Sequence, residues 1–265
     1  MTMQFSNIEE ALEAIARGEV IIMLDAEDRE NEGDFICAAE SITPEIVNFM
    51  ITVGRGQLCM PILPEIASRL DLKLMVEENT SPLRTPFTVP LDHHTNKTGI
   101  TAIERATTIQ AIVDPDSTSA DFVRPGHLFP LISKEGGVLR RAGHTEAAVD
   151  LARLAQLTPA GVLCEILEET GNRASRDQLF RLAEQYNLRI TTIEQLIRYR
   201  RVREKLVYRI AEAQLPTRYG LGTIIGYGVK YESQQPLVFM IGDLKKVSAP
   251  LVRLHSSCFT GDLLA

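Results

Sequence analysis

A layered α/β domain with a mixed sheet and helices on its faces, followed by an incomplete β-rich C-terminal module, is the fold class this sequence predicts. Three observations carry it. Capped amphipathic segments alternate with short apolar runs up to about residue 200, the order expected of packed helix and sheet layers. From Val207 onward the helix signals stop and only β-like runs remain. The 265 residues, 45% hydrophobic and 24% charged, suffice for one large or two modest cores.

Ser6-Asn7-Ile8-Glu9 reads as a capping box for a helix with Ile8, Leu12 and Ile15 on its apolar face and Gly18 as its stop. The apolar run 20–24 predicts a buried strand, and 35–39 a second one. Between them lies an acid-rich loop, Asp25, Glu27, Asp28, Glu30, Glu32 and Asp34, with Arg29 among the like charges. Thr43-Pro44 opens a helix ending near Gly54, 57–62 reads as a strand, and Pro64 starts a short helix to about Leu70. A strand is expected over 87–89, then a polar loop containing His93 and His94. Thr101-Ala102-Ile103-Glu104 caps a helix reaching about Ile112, whereas 124–131 is too rich in Pro and Gly for an uninterrupted helix. Thr145 is a credible N-cap for an amphipathic helix over 146–157, and 161–167 predicts a strand with Glu165 amid apolar residues. Ser175 with Gln178, and Thr191 with Glu194, open helices to about Tyr186 and Glu204. The basic stretch 198–205 is the natural connector, so the division falls at 1–203 and 204–265, with β runs at 207–210, 222–227 and 236–241.

Several classes are excluded by composition. A net charge of -7 argues against broad nucleic-acid binding. No apolar run approaches a membrane span, and the N-terminus lacks the regions of a signal peptide. Cys37, Cys59, Cys164 and Cys258 are far apart and form no C-x-x-C pair, which points to a reducing, cytoplasmic location.

Three places offer chemistry. The acidic loop leaves the end of a core strand, and its hard oxygen donors suit magnesium; its bland alternative is a solvated loop. Arg141, Ala142, Gly143, His144 and Thr145 precede a helix, where free amides and the helix dipole attract an anion such as phosphate; the alternative is a plain helix start. Glu165 in an apolar strand either carries a tuned pKa or points to solvent. His144 as a nitrogen ligand and His127 between Gly126 and Leu128 are each ambiguous alone. Together the parts suggest a magnesium enzyme acting on a small phosphorylated molecule.

The motifs Asp28-Arg29-Glu30-Asn31-Glu32-Gly33-Asp34, Thr98-Gly99-Ile100-Thr101, Arg124-Pro125-Gly126-His127-Leu128-Phe129-Pro130-Leu131, Arg141-Ala142-Gly143-His144-Thr145-Glu146-Ala147 and Ala160-Gly161-Val162-Leu163-Cys164-Glu165 resemble those of 3,4-dihydroxy-2-butanone 4-phosphate synthases, in family order across about residues 5–200. The resemblance implies a lyase of riboflavin biosynthesis that converts D-ribulose 5-phosphate to L-3,4-dihydroxy-2-butanone 4-phosphate and formate, using Mg2+ or Mn2+ (two ions per site), as a cytoplasmic homodimer with sites at the subunit interface. It implies that Glu30 and His144 hold the metal, and that His127, Glu165 and Asp34 serve catalysis. Arg29, Glu30, Asp34, Cys59, Arg141, Ala142, Gly143, His144, Thr145 and Glu165 would meet the substrate, with Arg141 and Thr145 on its phosphate. Ala26 and Glu104 depart from the family pattern at positions that carry no role.

The tail, with Ala211-Glu212-Ala213-Gln214-Leu215-Pro216-Thr217 and Val252-Arg253-Leu254-His255-Ser256-Ser257-Cys258-Phe259-Thr260-Gly261-Asp262, resembles the beginning of GTP cyclohydrolase II. There Cys258 would be the first zinc ligand, and Ser257 stands where that family has glutamate. One cysteine does not make a zinc site of three protein ligands, so neither zinc nor cyclohydrolase activity is expected of this chain. An incomplete module also predicts uncovered apolar strand surface, disordered or taken up in self-association. Two alternatives stand beside the synthase: a fragment of a bifunctional synthase/GTP cyclohydrolase II enzyme, and a non-catalytic paralogue that keeps sugar-phosphate binding.

Overall fold

Short β-branched runs bounded by turn and cap residues assemble here into one seven-stranded mixed sheet, in a computed structural model that describes residues 4–255. Cys258 lies outside the described residues. The chain divides at Glu204/Lys205 into two units.

In the first unit the elements run α1 (Ile8–Ala16), β1 (Ile21–Leu24), β2 (Gly33–Ala38), α2 (Pro44–Phe49), β3 (Cys59–Ile62), α3 (Pro64–Arg69), β4 (Leu91–His93), α4 (Ala102–Val113), β5 (Phe122–Ile132), α5 (His144–Leu154), β6 (Gly161–Glu165), α6 (Arg176–Tyr186), β7 (Arg189–Thr192) and α7 (Ile193–Arg203). The strand order is β4-β5-β3-β6-β2-β1-β7, with β3/β5 and β1/β7 parallel and the other neighbours antiparallel. Alternation along the strands separates two cores. Ile22, Leu24, Phe35, Cys37, Met60, Val162 and Cys164 face α2, α4 and α6, while Ile21, Met23, Ile36, Cys59 and Leu163 face α1, α5 and α7. The layered α/β class expected from the sequence is the one observed, with helices on both faces.

Register sets up the site. Met23 pairs with Asp34, Asp34 with Glu165, and Cys59 with both Leu163 and Phe129. Asp34 and Glu165 therefore share a row at one end of the sheet, on the face that α5 covers.

Several boundaries differ from the sequence reading. The first cap is Asn7 with Glu10, because the Ser6 amide donates to the Ile190 carbonyl and is held against β7. Thr192, not Thr191, caps α7, since Thr191 is buried in β7. Helix α5 begins at His144 with Gly143 as N-cap and no side-chain cap bond, so Thr145 lies buried inside the first turn. Phe87 and Thr88 make only single bridges; the strand forms at Leu91–His93 and takes in His93. Residues 124–131, as expected, form no helix and belong to the eleven-residue β5.

The second unit forms β8 (Val207–Thr217), β9 (Gly220–Val229) and β10 (Leu237–Ile241), an antiparallel sheet ordered β10-β9-β8. The strands are formed, and Tyr208, Ile210, Leu221 and Phe239 on them are exposed.

Candidate active site

Asp25, the first residue after β1, shapes the acidic loop. Its carboxylate, 1% exposed, accepts from the amides of Glu30 (3.0 Å) and Glu32 (2.9 Å) and from Arg29 (2.9 Å). Arg29 then reaches Glu30 at 2.8 Å, and Arg173 donates to the Glu30 carbonyl. The five acids between β1 and β2 can share this turn because Asp25 is neutralised by donors and Glu30 by a guanidinium.

His144 joins the loop from the first turn of α5. Its Nε2 lies 3.0 Å from the Met23 carbonyl oxygen, which can only accept, so Nε2 carries a proton and Nδ1 faces the carboxylates. Nδ1 stands 3.7 Å from both Glu30 Oε2 and Asp34 Oδ2. Burial alone would depress this imidazole, but Asp34, Glu30 and Asp25 outweigh it and raise it to about 9. Burial lifts Asp34 to about 7, opposed by His144 and reinforced by Glu165, Glu32 and Glu30. Glu30 feels a burial penalty too, yet His144 and Arg29 hold it below the ordinary carboxylate range. Burial raises Glu32, helped by Glu30 and Glu165.

These residues fit a divalent cation. Asp25, Glu30 and His144 bring ligand atoms within 4.8 Å of one another. Asp25 already has three donors, so the ligands left are Glu30, through the Oε2 that faces His144 and not the Oε1 that Arg29 holds, and the Nδ1 of His144 once a cation displaces its proton, with the Met23 carbonyl orienting the ring from behind. Asp34 Oδ1 is buried without a hydrogen-bond partner, an oxygen left for a ligand or cation to satisfy.

Beside this cluster Arg29 and Arg141 converge on Gly143. A Cβ there would lie 2.4 Å from Arg141 Nη1, 3.0 Å from Arg29 Nη2 and 3.1 Å from Glu146 Oε2. Glu146, fully buried, accepts from Arg141 at 2.8 Å and from the Lys134 amide at 3.1 Å. Two guanidiniums and the N-terminus of α5 thus form one anion-binding corner. Thr145 is buried in that turn and Ala142 is exposed.

Of the other expected residues, Glu165 sits next to Asp34 in the sheet and accepts from the Gln57 amide at 2.8 Å. Cys59 is 1% exposed; burial, then the charges of Glu165 and Asp34, push its thiol well up. It is packed below the acids, not open to solvent. His127 stands apart on β5, bonded to Asp92, and no described hydrogen bond ties it to Glu30, Asp34 or His144. Sequence reasoning had Asp25 only as one acid of the loop, and gave no role to Glu146 or Asp92. Their roles show only with the partner in view: Arg29 for Asp25, Arg141 for Glu146 and His127 for Asp92.

Fold and site together define an α/β protein with a carboxylate–imidazole cluster for a divalent cation beside an arginine-lined anion corner. The comparisons agree. The chain belongs to the 3,4-dihydroxy-2-butanone 4-phosphate synthase family, whose model matches residues 9–199; the GTP cyclohydrolase II model matches residues 208–265. The riboflavin biosynthesis protein RibBA of Bacillus cereus is 54% identical over 259 residues, covering 98% of this chain and 65% of that protein. RibBA of Bacillus velezensis is 53% identical over 262 residues, covering 98% and 66%. The chain therefore spans just under two thirds of these relatives. Among solved structures, RibBX, a two domain 3,4-dihydroxy-2-butanone 4-phosphate synthase from A. baumannii, superposes with a TM-score of 0.84 at 42% identity, over 91% of this chain and 72% of that one. A 3,4-dihydroxy-2-butanone 4-phosphate synthase in complex with two magnesium ions gives 0.71 at 38%, over 75% and 98%. The Candida albicans synthase gives 0.68 at 41%, over 74% and 97%. Among the described residues no helix is long and apolar enough to cross a membrane.

Proposed function

We propose that residues 1–203 convert D-ribulose 5-phosphate to L-3,4-dihydroxy-2-butanone 4-phosphate and formate in riboflavin biosynthesis. The observation that carries this reading is the meeting of two arginines at the start of α5, beside the Glu30, His144 and Asp34 cluster. One end of a sugar phosphate needs an anion corner and the other a cation next to proton-transfer groups.

Arg29, Arg141, Thr145 and the α5 amides hold the phosphate, with Ala142 and Gly143 giving backbone access. Glu30 and His144 hold Mg2+ or Mn2+, two ions per site, which supply charge stabilisation to a substrate oxygen that becomes negative. Asp34, raised to about 7 by burial, can hold or release a proton near neutrality, as removal of a proton beside a carbonyl requires. Glu165 is the second proton-transfer group, and Cys59 supports both acids from below. His127 exchanges a proton from its own strand. The conversion splits a five-carbon phosphate into four carbons and one, and its atoms balance without an oxidant.

The same reading includes a cytoplasmic location and a homodimer with shared sites, for which exposed Ile100, Ile103 and Val123, the last paired with Asp92, offer apolar surface. Formate release from ribulose 5-phosphate with magnesium tests the proposal. Sugar-phosphate binding without formate would replace it with the non-catalytic paralogue. A second reading, part of a bifunctional enzyme, is favoured by the match over 208–265 and by the longer RibBA relatives. Turnover of GTP with zinc, assayed on this chain and on the product of the whole gene, tests it; Cys258 would then be a zinc ligand.

A further inference from the structure

Two motif glycines that the site above does not use, Gly99 and Gly126, pack against the Leu91-Asp92 segment, Gly99 on the Asp92 carboxylate and Gly126 on the backbone that carries it. A Cβ on Gly99, whose φ is +87°, would lie 2.0 Å from Asp92 Oδ2. A Cβ on Gly126 would lie 2.1 Å from the Leu91 carbonyl carbon and 2.4 Å from the Asp92 amide nitrogen. The backbone is thus closed around Asp92, whose side chain is 8% exposed. Its two oxygens serve one residue: Oδ1 accepts the His127 amide at 2.9 Å and Oδ2 meets His127 Nδ1 at 2.7 Å. Among the described residues the neighbouring rings of His93 and His94 bond a hydroxyl and a carbonyl, not a carboxylate.

From this geometry we infer that Asp92 is a positioning residue that fixes the ring and tautomer of His127. The inference rests on the role proposed for His127 above. A carboxylate offers no proton, so Nδ1 is the donor and Nε2 carries the lone pair, on a ring whose side chain is 44% exposed. His127 is thereby presented as a base through Nε2, with a carboxylate behind it to stabilise the imidazolium once it takes a proton.

Asn at this position separates positioning from packing, because it keeps the shape. The His127 amide still requires an oxygen, so the Asn carbonyl takes that place and its NH2 faces Nδ1. Nδ1 must then accept, and the proton moves to Nε2, the wrong nitrogen.

The test uses the full chain with 15N-labelled histidine at alkaline pH, where the ring is neutral, and His127 assigned by its loss in His127→Gln. Wild-type protein is expected to show a protonated Nδ1 and an unprotonated Nε2, with the two exchanged in Asp92→Asn. With ribulose 5-phosphate, Asp92→Asn is expected to lower kcat by about a hundredfold or more and to leave KM within about threefold. A wild-type ring protonated at Nε2 overturns the inference and needs no variant. So does a folded Asp92→Asn protein with kcat within threefold of wild type. If wild-type protein releases no formate, the proposed function fails, while the tautomer measurement still decides the positioning.

Discussion

Replacing Gly143 with alanine isolates the anion corner from the rest of the protein. Gly143 has φ -123° and ψ 159°, extended backbone open to any residue, so the change is steric alone. The new methyl would lie 2.4 Å from Arg141 Nη1, and ordinary contact begins at 3.4 Å, so the guanidinium must retreat by 3.4 − 2.4 = 1.0 Å. A charge-assisted bond from that guanidinium to a bound phosphate, ordinarily about 2.7–2.9 Å, is lost when it is lengthened that far. Each charge-assisted bond contributes about 1.5–3 kcal/mol, which at 1.4 kcal/mol per tenfold corresponds to roughly 10- to 150-fold in substrate affinity. Stability falls little, because a flexible arginine end can move away and the N-cap preference of Gly over Ala is about 0.5–1 kcal/mol. A melting shift of a few degrees is expected for a domain of this size. Steady-state formate release should show KM for ribulose 5-phosphate raised at least about tenfold, with a smaller change in kcat. An unchanged KM in a folded variant would refute the corner as the phosphate site.

Glu30→Ala should abolish formate release and weaken Mg2+ binding in calorimetry; near-normal turnover would sink the metal assignment. Arg200→Met should cost about 3–5 kcal/mol, roughly 6–20 °C in melting temperature. The loss follows because Arg200, 2% exposed, bonds Asp150 at 2.7 Å, Glu204 and the Gly136 carbonyl. Adding Asp150→Leu should recover part of that loss, and a double variant no more stable than the single one would contradict the buried-pair account. Glu104 accepts the amides of Thr98 and Lys97 and the hydroxyls of Thr98 and Thr101, which hold its carboxyl far below the usual range. A depressed folded value means stabilisation that is complete above about pH 4.5 and lost as pH falls below it. The melting gap between wild type and Glu104→Gln should therefore shrink on acidification, and a gap that widens would reverse the sign.

Local chemistry made most of the fold legible. Apolar runs, the Thr101 and Ser175 boxes and the Thr43-Pro44 start each depend on neighbours within four residues, and these appeared where expected. The errors came where a distant strand competed. Ser6 was as good a cap as Asn7 until its amide was claimed by Ile190, and Thr191 until β7 paired with β1. The acidic loop and the α5 start were visible as two half-sites and were joined only by the resemblance; the residues alone do not show the convergence of Arg29 and Arg141 on Gly143, which tertiary packing makes. Asp92 and His127 lie 35 positions apart, and no periodicity links them.

The pairing of β7 with β1 has a consequence for synthesis of the chain. Residues 21–24 carry the acidic loop, but one side of that strand stays unpaired until residues 189–192 have left the ribosome. Nascent chains shorter than this expose a bare, wholly apolar strand edge, the kind of surface that chaperones cover and that pairs with other chains. Formation of the candidate site is thus a late, long-range event, and production of the protein should depend more on translation rate and holdase supply than its final stability suggests.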